Sequence, residues 1–142
     1  MNIVHTICDY TNITQWEVII MLVYAIMSIT SALIFYTIGV WSEKIQGELK
    51  KWHLMMFYLG LVFDTVGTTL MSKIAIGGFH INFHGITGLL AIGLMLLHAL
   101  WATLVLFQND KEAKTNFHKF SIIVWIIWLI PFVSGAIFGA AH

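Results

Sequence analysis

The stretch HGITGLLAIGLMLLHALWATLVLF, residues 84–107, has no charged side chain from end to end. A helix needs roughly 20 mostly apolar residues to cross a hydrocarbon core about 30 Å thick, so this segment reads as a membrane span. Three further stretches fit the same ruler. One runs from about Trp16 to Trp41, one from near Glu48 or Trp52 to near Lys73, and one from within Lys111–His118 to near Gly139. Pro131 is expected to kink the last, because it removes a backbone donor and crowds the preceding turn. The expected fold is all-α, a polytopic membrane protein with a four-transmembrane-helix bundle. Residues 16–142 form its one domain, preceded by a short leader, 1–15, without the basic start and small-residue cleavage site of a signal peptide.

Composition agrees. Only 10% of the residues are charged and 59% are hydrophobic. A soluble domain carries about 25% charged residues, so the solvent for most of this surface is the lipid bilayer. Zero net charge, with histidine neutral, leaves no basic patch to argue for nucleic acid. A lone cysteine, Cys8, excludes an internal disulfide framework and any CxxC motif.

Every basic residue is a lysine. Lys44, Lys50 and Lys51 lie between the first two spans, and Lys111, Lys114 and Lys119 flank the start of the fourth. Only Lys73 lies at the other end, near Gly77, Gly78, Phe79 and His80. The positive-inside rule then puts the two lysine-bearing loops in the cytoplasm and both termini on the non-cytoplasmic side. Trp16, Trp41 and Trp52 fall at expected interfaces, where aromatic belts form.

The anomaly is seven histidines in so apolar a chain. His5 and His142 lie in the tails and His80 in the outer loop, where a solvated imidazole needs no explanation. His53, His84, His98 and His118 lie in or at the ends of spans, where an ionisable side chain is costly and marks a functional site. At ~1.5 Å of rise per residue, His53 is ~8 Å, His118 ~10 Å and His98 roughly 15 Å from the inner ends of their helices. Three histidines on three helices thus converge on the cytoplasmic half. His84 stands apart near the outer face, ~21 Å from His98 along the axis and about 40° around it.

Neutral imidazole is an axial ligand for heme iron and a ligand for several transition metals. Zinc or copper would bring cysteine or carboxylate, and none is expected at this level. Heme b fits the pattern better, with one heme at the inner cluster and room for a second near His84. Its propionates need cations. Lys50 precedes His53 by three residues and Lys114 precedes His118 by four, placing each lysine on its histidine's face one turn nearer the cytoplasm. Topology marking explains each lysine equally well alone; the spacing counts only jointly with the histidines. His98 pairs with His118 or with His53, and depth alone leaves both open.

Asp64 is the other costly residue, ~8 Å outward of His98 and so out of direct reach of it. It is expected as a carboxyl bonded to Thr65 or Thr68, or as a cofactor contact or proton relay. Met27 and Met71 are soft donors for an outer heme, or simply packing. Gly60, Gly67, Gly85, Gly88, Gly93, Gly135 and Gly139 either bring helices close or make room for a flat cofactor.

Four segments, FYTIGVWSEKIQG (35–47), GLVFDTVGTTL (60–70), HGITGLLAIGLMLLHALWA (84–102) and FHKFSIIVWIIWLIPF (117–132), jointly resemble one bacterial family. It is that of the small HsmA-type heme-sensing membrane proteins. The resemblance runs from about Phe35 into the fourth helix. It implies heme binding in the bacterial cell membrane, protection against heme toxicity and support for oxidative-stress defence. It also implies that His53, His84, His98, His118 and Asp64 stand at the transferable positions. More distantly, small four-helix cytochrome-b-like and heme-assembly proteins are similar, by fold analogy alone.

Three functions follow for comparison. A heme-sequestering protein, not an enzyme, would fill both axial positions with histidine and leave no site for oxygen chemistry. A b-type cytochrome, the membrane oxidoreductase of the set, would favour two hemes and a redox partner. A non-heme proton-coupled transporter would use Asp64 and the histidines, and four short helices would then need to assemble as a homo-oligomer.

Overall fold

The computed structural model describes residues 3–74 and 83–140, with side chains for 14–74, 85–138 and 140. The described residues form four helices: α1 (Ile3–Gln46), α2 (Lys51–Ile74), α3 (Phe83–Gln108) and α4 (Lys111–Ala140). Each contains a segment long and apolar enough to cross a membrane, over Thr14–Gln46, Lys51–Ile74, Gly85–Gln108 and Lys111–Phe138. Each helix packs on its neighbour in the chain, and α1 closes the bundle against α4. The four-span reading therefore holds as a helical bundle.

The ends differ from expectation in an instructive place. α1 is helical from Ile3, inside the stretch read as a leader, and continues past Trp41 to Gln46. Nothing in Ser42-Glu43-Lys44-Ile45-Gln46 opposes a helix. It stops at Gly47, whose φ of +76° is the left-handed cap conformation that glycine adopts without strain. The Gly47 N–H still donates to the Glu43 carbonyl at 3.0 Å. Between α3 and α4 the chain turns in two residues. Asn109 takes φ +53°, and the Asp110 carboxylate then caps α4 by accepting the Glu112 N–H at 2.9 Å. α4 stays helical through Pro131.

The surface is inverted relative to a soluble protein. Leu90, Leu97, Ile137 and Phe107 are exposed, while Glu43, His53, Asp64, His98 and Ser121 are buried. With lipid outside, exposed leucine is solvated and buried carboxyls must find partners within the bundle. Trp16 is 65% exposed, and Trp41 meets Trp125 edge to face with the Lys44 ammonium over its ring.

The glycines divide. At Gly60 an added Cβ would lie 2.5 Å from the Tyr36 ring, and at Gly67 it would meet Ile29 and stand 3.1 Å from the Ala25 carbonyl. These two let α1 and α2 approach closely, as small residues do in membranes. Gly88 and Gly93 of α3 have nothing within 4 Å of that position, so close packing does not account for them.

Candidate functional site

Two buried polar chains lie inside the bundle, and α1 supplies a residue to each. Along α1 the buried positions include Ala32, Tyr36, Val40 and Glu43. Their spacing of three to four residues keeps them on one inward stripe. On α4 the buried stripe is Phe117, Ser121, Val124 and Trp128. The two stripes face each other, so Glu43 meets Ser121 and Tyr36 meets Trp128.

In the first chain the Ser121 hydroxyl donates to Glu43 Oε2 at 2.7 Å and stands 2.9 Å from His98 Nε2. Three helices thus meet at one hydroxyl. His98 is fully buried, with Phe57 edge-on at 4.5 Å and Phe117 and Phe120 at 5.3 and 5.8 Å. Its other nitrogen, Nδ1, has no hydrogen-bond partner, nor does Glu43 Oε1. Buried polar atoms are nearly always paired, so each orphan marks a place where something else belongs or where strain is held.

In the second chain Asp64 Oδ2 accepts from Trp128 Nε1 at 2.7 Å and from the Tyr36 hydroxyl at 3.4 Å. The expected partners, Thr65 and Thr68, are not the ones used. Thr65 donates to the Leu61 carbonyl on its own helix at 2.7 Å, as a membrane threonine does to satisfy its hydroxyl locally. Asp64 has no hydrogen bond to His98, in line with its expected depth.

His53 is also fully buried, yet its chemistry differs. It is the third residue of α2, and its Nδ1 accepts the Lys50 backbone N–H at 3.0 Å. That is the returning half of a capping box, a side chain at N3 satisfying the N-cap amide. With Nδ1 accepting, a neutral ring carries its proton on Nε2, which is buried without a partner. A metal at Nε2 would require that proton to move and the cap to open.

His118 is half-buried and has the opposite pattern. Its Nδ1 donates to the Thr115 carbonyl at 2.8 Å, so in the neutral ring Nε2 holds the lone pair. Histidine ligands to metals are commonly oriented by such a bond. Its flank of α4 turns toward α1, since Trp125, two turns on, donates to Thr37 at 3.2 Å and packs on Trp41. His118 is therefore absent from the Glu43–Ser121–His98 chain, although it lies one turn from Ser121.

Three of the lysines come together, in a cleft that none of the described histidines lines. Lys50, Lys51 and Lys114 line one open cleft of about 560 Å³ at the lysine-bearing end, with Glu48 and Asn109. The Leu49 N–H donates to the Lys114 carbonyl at 3.1 Å and ties the two loops. The Lys50 ammonium lies 3.9 Å from Glu48, a surface pair of little energetic weight. Met27 and Met71 are exposed on the outside of the bundle. His84 belongs to the first turn of α3, but its side chain, like His5, His80 and His142, lies outside the described residues.

Among the described residues no group of three or more His, Cys, Asp or Glu is arranged to hold a metal ion. A heme asks for less from the protein, one or two imidazoles, an apolar aromatic wall and cations near the rim. His98 Nδ1, the phenylalanines around it and the lysine cleft are of that kind. Glu43, Ser121, Tyr36 and Trp128 were missed in the sequence. Glu43 falls just beyond the expected end of the first span, and its seven-residue spacing from Tyr36, two helical turns, is the signal that links them.

No protein-family model, curated protein or solved structure matches the chain.

Proposed function

We propose that this chain is a multi-pass bacterial membrane protein that binds heme b and sequesters or stores it within the bilayer. The observation that carries the proposal is His98, an imidazole fully buried among aromatic rings with one ring nitrogen unpaired. Imidazole nitrogen is what heme iron binds. His98 would hold the heme iron. His118, whose Nδ1 bond leaves Nε2 bare in the neutral ring, would serve as the second ligand more readily than His53, whose neutral ring carries its proton on Nε2. Lys50 and Lys114 in the shared cleft are the partners for propionates.

Both termini lie on the non-cytoplasmic side in this reading, because the lysine loops between α1 and α2 and between α3 and α4 stay inside. Limiting heme toxicity and supporting oxidative-stress defence come from the resemblance to the HsmA-type family. When bound, heme ligated by two histidines supplies a coordinatively filled iron that leaves no position for oxygen.

Heme quantified per purified chain tests this reading. One low-spin heme per chain is expected. Two hemes of separate potential would replace storage with a b-type electron carrier, the second heme near His84. Protein from heme-replete cells with no Soret band would overturn heme binding. The reading then left is a proton-coupled transporter, which the hydrogen-bonded run of Glu43, Ser121 and His98 independently favours.

A further inference from the structure

We infer that Glu43 and Ser121 are positioning residues that fix the tautomer of His98, and so select Nδ1 as the nitrogen it presents to a ligand. The inference deepens the heme reading and rests on it for the identity of that ligand. The argument is one of hydrogen-bond direction. With Glu43 ionised its carboxylate can only accept, so the one proton of Ser121 goes to Oε2, 2.7 Å away. The serine oxygen is then left only lone pairs for its contact with His98 Nε2 at 2.9 Å. A lone pair needs a proton opposite it, so Nε2 carries the hydrogen. A neutral imidazole has one ring proton, and Nδ1 is consequently bare.

That bare nitrogen is the one left without a partner in the buried interior. The order of donors is therefore His98, then Ser121, then Glu43, and the carboxyl at the end sets the direction for the whole run. Metal-binding histidines are commonly held this way, by a partner on the ring nitrogen that does not ligate. Here the partner is a hydroxyl oriented by a carboxyl on a third helix. α1 thus acts on the ligand atom of α3 through α4, without touching it.

Remove the acceptor, and the direction is lost. In Glu43→Leu the Ser121 hydroxyl is free to donate to Nε2, which would send the ring proton to Nδ1 and block it. In Ser121→Ala neither nitrogen is held. Ser121→Thr keeps the hydroxyl and should keep the tautomer.

The test is nitrogen NMR of the ligand-free protein in lipid bilayers with ¹⁵N-labelled histidine, the His98 signals assigned by their loss in His98→Gln. The expected result is a proton on Nε2 and none on Nδ1 in the wild type and in Ser121→Thr. Glu43→Leu and Ser121→Ala should lose that single form. A wild-type proton on Nδ1 would overturn the inference. So would an unchanged tautomer in both disrupting variants, and either variant alone decides if the other fails to fold. Hemin titration of the same wild-type sample is read separately. Failure to bind hemin with the tautomer fixed removes the heme reading, whereas hemin binding with a mixed tautomer removes the positioning roles.

Discussion

Asp64 is held by two donors of unequal quality, the indole of Trp128 at 2.7 Å and the Tyr36 hydroxyl at 3.4 Å. A buried acceptor left short of partners costs about 1–3 kcal/mol, more if charged. Trp128→Phe should therefore destabilise the protein by about that amount, and Tyr36→Phe by less. Thermal unfolding in detergent checks the order; equal or reversed losses would mean that the Asp64 site is held by something else. At this scale the sequence was partly legible. The cost of burying Asp64 and His98 in a membrane is written in their identities, and both are buried. Their partners were not legible, because they come from other helices. A local search for a hydroxyl found Thr65, which bonds to its own helix, and passed over Trp128, 64 positions away. His53 was readable as an imidazole at the inner level, whereas its use as the N-terminal cap of α2 depended on where that helix begins.

Among the elements, α1 and α2 form the tight pair. Gly60 lies against the buried Tyr36 ring, so Gly60→Ala has no room without moving a residue that also serves Asp64. Overpacking of this kind typically costs about 1–3 kcal/mol. Gly88→Ala on α3, with open space at the same position, should change stability little. Comparing the two variants by thermal unfolding separates packing glycines from permissive ones, and equal losses would contradict the division. The helices themselves were legible from length and apolarity alone. The end of α1 was not, since hydropathy falls at Trp41 while the helix continues to its glycine cap. That extra turn carries Glu43 into the bundle, which is why its place beside Ser121 was invisible from the pattern of spans. The capping of α4 by Asp110, in contrast, follows the ordinary preference of aspartate for that position.

For the molecule as a whole, the proposed orientation rests on the lysine distribution and turns the cleft lined by Lys50, Lys51 and Lys114 toward the cytoplasm. Single cysteines placed at Lys51 and Lys111 in a Cys8→Ser background should be protected from a membrane-impermeant thiol reagent in intact cells and labelled after permeabilisation. Labelling of both in intact cells would reverse the topology. In the proposed heme site the iron would be held at the inner level, by the unpaired nitrogen of His98. The measurement that tests it most directly is the oxidised and reduced absorption spectrum of the purified protein, wild type beside His53→Ala, His84→Ala, His98→Ala and His118→Ala. The expected result is a low-spin heme spectrum in the wild type that is lost or converted to high spin in His98→Ala. A heme content and spectrum that survive all four substitutions would contradict histidine ligation within the bundle.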